Sequence, residues 1–317
     1  MIILNEILFL LFAFFTVFLS IKLSYYVDYL SKNSKISGAL LAGILLAGVT
    51  SLPELVTCFS AIAVNNYSLA VGDILGSNIF NIFMICVFDL FYIKKAMFFN
   101  MKKSHSLIFI LLLINYIVMY LFVGKLSFLN LSSICIPTIF ILITYVYYLY
   151  RVSSKKEDKV KINCYSSNNV VMKLVVTAVL MIFSSIILTL IVNNLAKIHP
   201  YFSSSFLGAI FLGITTSLPE VVTCYSLINM NSYDLALDDI IGSNFFNLLV
   251  LSIGDLFVRN VPIFNVIDRG VITLIVLGLF FTLLSFLNTK YSKKTYGFIS
   301  FLIVIMYLGY WIINFLG

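Results

Sequence analysis

Long apolar runs follow one another along almost the whole chain, separated by short stretches of polar and basic residues. A helix needs about 20 mostly apolar residues to cross the hydrocarbon core of a bilayer. The runs therefore predict ten transmembrane helices, approximately at 5–27, 37–63, 68–92, 105–123, 127–150, 170–195, 204–230, 235–257, 269–288 and 296–315. We interpret the chain as an all-α polytopic membrane protein.

The longest polar interruption lies at 151–169, where lysines alternate with acidic and hydroxyl-bearing residues. It separates five predicted spans on its N-terminal side from five on its C-terminal side. We therefore expect an N-terminal five-helix half at 1–150, a linker at 151–169 and a C-terminal five-helix half at 170–317.

Composition supports this interpretation. Hydrophobic residues make up 62% of the chain and charged residues 10%, whereas soluble domains carry about 25% charged residues. This excludes a soluble globular enzyme and makes the lipid bilayer an expected partner. The net charge of +7 does not indicate nucleic-acid binding, because the basic residues lie in short loops. The five cysteines have no metal-type spacing, and we expect free thiols.

Basic residues are concentrated in the loops that follow odd-numbered spans. These are Lys32, Lys35, Lys94, Lys95, Lys102, Lys103, Arg151, Lys155, Lys156, Lys159, Lys161, Lys290, Lys293 and Lys294. The loops after even-numbered spans carry only Lys125, Lys197, Arg259 and Arg269. The positive-inside rule then predicts a cytoplasmic linker, with both termini outside the cell (plasma) membrane.

A two-part motif occurs in both halves. Thr-Ser-Leu-Pro-Glu at 50–54 returns at 216–220, and Gly-Ser-Asn-x-x-Asn at 76–81 returns at 242–247. The offset is 166 positions throughout and needs no gap, which indicates an internal duplication. Because each half has an odd number of spans, the second copy enters the membrane in the opposite sense. We therefore predict two inverted-topology repeats.

Each copy places a proline and a glutamate inside an apolar run long enough to span a membrane. An acid at membrane depth costs at least about 2.5–3.5 kcal/mol on insertion scales, and it therefore indicates function. Proline removes one helix hydrogen bond, so we expect helices 2 and 7 to be broken beside Glu54 and Glu220. Such paired breaks are typical of the substrate site of a transporter.

The repeats bring carboxylate, hydroxyl and amide groups together. The candidate metal ligands are Thr50, Ser51, Glu54, Ser77, Asn81, Thr216, Ser217, Glu220, Ser243 and Asn247. Each offers a hard oxygen, which suits Ca²⁺, Mg²⁺ or Na⁺ and disfavours zinc or copper. Two glutamates balance one divalent ion, or two or three monovalent ions in its absence, which is a physical basis for antiport. We expect no cofactor.

These residues also have structural interpretations. A single intramembrane glutamate can be protonated and merely hydrogen-bonded, although two at symmetric breaks favour a site. The serine and threonine hydroxyls can bond back to helix carbonyls. Asn78 and Asn244 can orient the break without touching an ion.

Four further acids recur at matching positions of the two duplicated segments: Asp73, Asp89, Asp239 and Asp255. The predicted topology puts one pair near the outer ends of its spans and the other near the inner ends. We hypothesise one acidic pair in the vestibule of each access passage, attracting cations by its local field. The alternative, solvated acids at helix ends, fits Asp73 and Asp239 better than Asp89 and Asp255.

Both copies resemble the α-repeats of the sodium/calcium exchanger family, within the cation/calcium antiporter superfamily. The family pattern is Gly-Thr-Ser-x-Pro-Glu, followed by Gly-Ser-Asn-x-x-Asn or Gly-Ser-Asn-x-x-Asp. The resemblance implies alternating access, in which extracellular Na⁺ drives Ca²⁺ outward. It implies Ca²⁺ carboxylates at Glu54 and Glu220, supported by oxygens of Thr50, Ser51, Thr216 and Ser217. It implies Na⁺ ligation by Ser77, Asn81, Ser243 and Asn247.

The sequence departs from the family pattern in places. Both motif-ending positions are amides, Asn81 and Asn247, which argues against potassium co-transport and against the doubly acidic arrangement of proton/calcium relatives. Val49 and Thr215 replace the glycine before Thr-Ser. Asp73 stands where the family usually has asparagine.

The sequence leaves three alternatives to a Na⁺/Ca²⁺ antiporter. The nearest is an H⁺-coupled divalent cation antiporter on the same scaffold, because glutamates titrate as readily as they bind Na⁺. A cation channel is less favoured, because two sites at inverted breaks suit alternating access. An enzyme is not expected, because the sequence contains no evident nucleophile–base pair, and His105 and His199 lie outside the repeats. We assume that a monomer suffices for transport.

Overall fold

The structure is a computed structural model that describes residues 2–33, 48, 50–91, 103–124, 135–153, 168–230, 233–258, 262–265, 267–288 and 296–316. All regular secondary structure within these ranges is helical. Most of the predicted linker at 151–169 and the first part of the second predicted span lie outside them.

Ten helices occur in the described residues. They are α1 Ile2–Asn33, α2 Leu52–Ala63, α3 Tyr67–Phe91, α4 Lys103–Gly124, α5 Ile136–Ser153, α6 Asn168–Ile198, α7 Ser204–Asn229, α8 Tyr233–Phe257, α9 Arg269–Asn288 and α10 Tyr296–Leu316. A short 3₁₀ helix, Ile263–Asn265, precedes α9. Of the ten, eight are long and apolar enough to cross a membrane, whereas α2 and α5 are shorter apolar helices. The prediction of a polytopic all-α membrane protein is confirmed.

The expected irregularity in the second span lies at Ser51. This residue precedes the first turn of α2 and has φ −88° and ψ 16°, outside the helical values. Pro53 therefore falls in the first turn of α2, where the missing N–H would have had no helical acceptor. Proline starts a new helix here, and Glu54 lies in its first turn.

The expected break in helix 7 is not found. Pro219 lies inside α7, which continues on both sides of it, and the irregular part is a π-helical segment at Gly208–Leu212. Proline removes only one helix hydrogen bond, the one to the Thr215 carbonyl, and membrane helices tolerate such a loss where the freed group faces protein or water.

α3 and α8 form the centre of the bundle. α3 contacts α2, α7, α8, α9 and α10, and each of its residues from 68 to 82 is buried. α8 contacts α2, α5 and α7 as well as α3. By contrast, α1 packs along α6 and leaves Phe14 74% exposed, as expected for a lipid-facing helix.

α3 and α7 approach each other at backbone distance. A β-carbon added at Gly72 would overlap the backbone of Ser205, and one added at Gly76 would overlap Ala209. From the opposite side, a β-carbon at Gly208 would overlap the backbone of α3. Small residues permit this kind of contact between membrane helices. Glycine thus sets the separation of the two helices.

The Gly76→Ala substitution should lower the thermal stability of the purified protein. Its β-carbon must displace the Ala209 main chain, and overpacking of this kind costs about 1–3 kcal/mol. Gly309→Ala is the matched control, because no atom lies within 4 Å of its added β-carbon. The control should melt at or slightly above the parent temperature, since alanine favours helix. Equal melting temperatures for the two variants would contradict the close α3–α7 packing.

Candidate cation site

The two repeated glutamates meet in the centre of the bundle. Glu54 on α2 and Glu220 on α7 are both fully buried. Ser51 donates to Glu220 Oε1 at 3.0 Å, and Ser217 donates to Glu54 Oε1 at 3.3 Å. Each carboxylate is therefore held by the serine of the opposite repeat. The sequence predicted these four residues as one cluster, and the structure brings them together.

Each glutamate keeps one oxygen without a hydrogen-bond partner among the described residues. These are Glu54 Oε2 and Glu220 Oε2. A buried carboxylate oxygen without a donor is costly, and native structures contain few such atoms. A cation is the chemical group that would satisfy both.

Asn81 and Asn247 add two amide oxygens to the centre. Asn81 Nδ2 donates to Asn244 Oδ1 at 2.9 Å, and Asn247 Nδ2 donates to Asn78 Oδ1 at 3.0 Å. Their own oxygens, Asn81 Oδ1 and Asn247 Oδ1, are buried and have no partner in the described part of the chain. The amino groups form hydrogen bonds between α3 and α8, whereas the two oxygens remain available to bind a cation.

The remaining predicted ligands are also buried, but the two repeats use them differently. Ser77 Oγ donates to the Gly213 carbonyl at 3.1 Å, and Thr216 Oγ1 donates to the Leu212 carbonyl at 3.0 Å. Ser243 Oγ, the counterpart of Ser77, has no partner among the residues that the structure covers. Thr50 is fully buried.

The electrostatics of the centre are one-sided. The buried polar and charged residues of the described ranges include aspartate and glutamate but no lysine, arginine or histidine. No group of three or more His, Cys, Asp or Glu side chains in those ranges is placed to hold a metal ion. A cation bound between the two glutamates would have to draw on amide, hydroxyl or main-chain oxygens for the rest of its coordination.

Asp73 and Asp239 lie next to the glutamates. Asp73 is fully buried, and its Oδ2 lies 2.5 Å from Thr57 Oγ1, one turn after Pro53. Asp73 lies near Glu54 and Asp239 lies near Glu220, so negative charges on the two members of either pair would repel each other. Both aspartates retain a buried oxygen without a partner in the described residues. Their proposed vestibule role stays a prediction.

Asp89 and Asp255 occupy structural positions that the sequence analysis missed. Asp255 accepts hydrogen bonds from Thr138 Oγ1 at 2.6 Å, from Cys135 N at 3.2 Å and from Ile263 N at 2.7 Å. Asp89 accepts from Ser300 Oγ at 2.7 Å. Both are fully buried in this conformation, and their vestibule role stays a prediction. They tie α8 to α5 and α3 to α10. A hydroxyl residue near the start of α5 and of α10 was the available signal.

Cysteine takes no part in the site. Cys58, Cys86, Cys135 and Cys224 are buried and free, as expected from their spacing. Cys164 lies outside the described residues.

The two halves of the chain are matched separately by one family model. The model for the sodium/calcium exchanger protein family covers residues 6–153 and 170–316. The chain belongs to the sodium/calcium exchanger family. The duplicated motifs therefore correspond to a family that consists of transporters rather than catalytic enzymes.

Curated relatives are about a quarter identical to this chain over the aligned residues. The inner membrane protein YrbG of Escherichia coli is 24% identical over 213 residues, which are 64% of each chain and thus slightly less than two thirds of that relative. The putative antiporter CaxA of Alkalimonas amylolytica is 27% identical over 245 residues, 73% of this chain and 74% of the relative. An uncharacterised membrane protein of Methanocaldococcus jannaschii, MJ0091, is 24% identical over 83% of both chains.

Solved structures share the fold at low identity. The structure of native YfkE matches with a TM-score of 0.70 and 18% identity, covering 98% of this chain and 92% of YfkE. The H⁺/Ca²⁺ exchanger CAX matches with 0.65 and 13%, covering 98% and 88%. The sodium-calcium exchanger NCX_Mj matches with 0.58 and 20%, covering 98% and 99%. These likenesses establish the fold of the exchanger but not its coupling ion.

The Asp255→Ala substitution should lower the melting temperature of the exchanger, because it leaves three buried donors without an acceptor. Each unsatisfied buried donor costs about 1–3 kcal/mol. Thr138→Val removes one of the three donors and should cause a smaller loss. Thermal unfolding in detergent measures both. An unchanged melting temperature combined with slower Ca²⁺ uptake from outside would instead support the vestibule hypothesis.

Proposed function

We propose that the protein is a secondary active antiporter that exports Ca²⁺ in exchange for Na⁺ by alternating access. The observation that carries this proposal is the pair of buried glutamates, each held by the opposite repeat and each with one oxygen unsatisfied. A desolvated cation between Glu54 and Glu220 satisfies both. In this proposal the protein lies in the cell membrane, with both of its termini outside the cell.

The donor set suits Ca²⁺, which takes six to eight oxygen ligands in flexible geometry. Two glutamates neutralise its charge, and the amide oxygens of Asn81 and Asn247 add neutral ligands. Main-chain and hydroxyl oxygens of Thr50, Ser51, Thr216 and Ser217 complete the Ca²⁺ set. When Ca²⁺ leaves, Na⁺ ions bound by the glutamates, Ser77, Ser243 and the two amides restore neutrality. The same oxygens cannot serve both ions fully, which couples their movements.

Alternating access rests on two inverted five-helix repeats, 1–150 and 170–317, joined by a cytoplasmic linker. The reciprocal Ser–Glu bonds and the Asn78–Asn244 bonds support a two-fold relation between the repeats. Each bond in one direction has a counterpart between the residues 166 positions away. Other contacts are formed on one side only. Ser77 is bonded to α7, whereas Ser243 Oγ has no partner in the described ranges. A site whose serine is bonded to a neighbouring helix in one repeat but not in the other fits one end state of an alternating-access cycle.

H⁺ coupling on the same scaffold is the second candidate, and a specific observation favours it. Asp73 and Asp239 add two further carboxylates beside the glutamates, and one Ca²⁺ does not neutralise four acids. Protons are counter-ions that carboxylates bind without further ligands.

The coupling ion is tested in proteoliposomes with separate Na⁺ and pH gradients. We expect radiolabelled Ca²⁺ uptake into Na⁺-loaded vesicles at symmetric pH, because Na⁺ leaving the vesicle drives Ca²⁺ inward. Uptake driven by a pH gradient without Na⁺ would replace Na⁺ by H⁺ in the proposal. Turnover faster than a carrier permits would indicate a channel.

Glu54→Gln and Glu220→Gln should each abolish Ca²⁺ exchange. Each change removes one of the two charges that balance Ca²⁺ but keeps an oxygen that can accept from Ser217 or Ser51, so the fold should survive. Thermal unfolding checks folding, and Ca²⁺ flux checks function. Glu6→Gln, at an exposed position on α1, is the control and should transport at the parent rate. Ca²⁺ flux that persists in either site variant would place the site elsewhere.

A further inference from the structure

We propose that Asn78 and Asn244 are positioning residues that fix the orientation of the ligand amides Asn247 and Asn81 across the α3–α8 contact. The inference rests on the proposed function and adds two residues to it. Neither residue is itself a ligand in this arrangement.

The direction of each hydrogen bond among the four asparagines follows from a backbone carbonyl, because a carbonyl oxygen can only accept. Asn78 Nδ2 donates to the Asn244 carbonyl at 3.2 Å, so the Asn78 amide can take only one orientation. Its Oδ1 then faces Asn247 and can only accept, so Asn247 must present its amino group, at 3.0 Å. Asn247 Oδ1 is thereby left without a partner in the described ranges and can face a cation.

The same order runs in the opposite direction. Asn244 Nδ2 donates to the Asn78 carbonyl at 3.2 Å, and Asn244 Oδ1 accepts from Asn81 Nδ2 at 2.9 Å. Asn81 Oδ1 is therefore also left without a partner in the described ranges. Two backbone carbonyls, one on each helix, determine the orientation of all four amides.

The consequence for the site is chemical. An asparagine amide can face a cation with an oxygen, which attracts it, or with an amino group, which repels it. Asn81 and Asn247 are fully buried, and among the amide atoms of these four asparagines their Oδ1 atoms are the ones without a partner in the described ranges. If Asn78 is removed, the Asn247 amide loses its constraint and can rotate its amino group toward the glutamates.

An alternative is that the four bonds only hold α3 against α8, as interhelical hydrogen bonds of polar residues do in other membrane proteins. A purely structural role predicts lower stability without a selective effect on one ligand. The two roles can be separated, because Asn78 acts on Asn247 and not on Asn81.

The first measurement is equilibrium binding of radiolabelled Ca²⁺ to the purified protein, together with thermal unfolding. Asn78→Ala and Asn244→Ala should each raise the Kd for Ca²⁺ about tenfold, because one amide oxygen is no longer held toward the cation. A tenfold change in Kd corresponds to about 1.4 kcal/mol of binding free energy. Asn115→Ala is the control, because Asn115 is a buried amide that bonds within α4 and to Thr144 on α5. It should lower the melting temperature and leave the Kd within about twofold.

The second measurement is a pair of double-variant cycles. If Asn78 acts through Asn247, Asn78→Ala combined with Asn247→Ala should bind Ca²⁺ no more weakly than Asn247→Ala alone. Combined with Asn81→Ala, the same change should multiply the two single effects, because independent changes add in free energy. Asn78→Ser, which keeps a hydroxyl but is too short to reach Asn247, replaces Asn78→Ala if the latter does not fold.

The outcomes separate this inference from the proposed function. A parent protein that neither binds nor transports Ca²⁺ would overturn both. A parent that binds Ca²⁺, with an Asn78→Ala variant whose Kd stays within about twofold, would overturn the positioning role alone. Equal multiplication in both double-variant cycles would also overturn it, since it would show that Asn78 does not act through Asn247.

Discussion

The structure depends on burying two carboxylates without a buried basic residue in the described ranges to neutralise them. Moving an isolated ionised carboxylate out of water is very unfavourable unless it is paired, protonated or bound to a metal. Ser51 and Ser217 each supply one hydrogen bond, which satisfies half of each carboxylate. The second oxygen of each carboxylate has no partner in the described ranges. In the function proposed above, a cation or proton from solution binds there and neutralises the buried charge.

The two repeats use the same motif but not the same contacts. Gly72 allows α3 to lie against α7, whereas its counterpart 166 positions later is Asp238, whose side chain could not fit against a backbone in the same way. Thr57 and the equivalent Thr223 both donate to the carbonyl of the motif proline at 3.0 Å, and Thr57 also donates to Asp73. The two halves are thus alike in their candidate ligands and different in their packing. A transporter needs similar ligands in both halves to bind the same ion from either side of the membrane. It needs different packing in the two halves to have two distinct end states.

Much of the site could be predicted from the duplication, because a motif repeated at a constant offset marks which residues converge. Glu54, Glu220, Ser51 and Ser217 were identified in this way. The helix geometry was harder to predict, because the effect of a proline depends on where its helix starts. Pro53 is in the first turn of α2, but Pro219 lies in the middle of α7. The duplication pairs Asn78 with Asn244, but it does not predict which groups of the two residues bond to each other. The role of Asp255 depends on Thr138, a partner far away in sequence that no local pattern indicates.

The contacts of Asp89 and Asp255 bear on whether the two halves are independent units. Asp89, at the end of α3, bonds to Ser300 on α10, and Asp255, at the end of α8, bonds to Thr138 on α5. Each half therefore uses its last helix to hold the third helix of the other half. Because the glutamates and the four asparagines also pair across the halves, one half alone would leave buried acids and amides without partners. The sequence boundary at the linker separates repeats, while the packing joins them into one core.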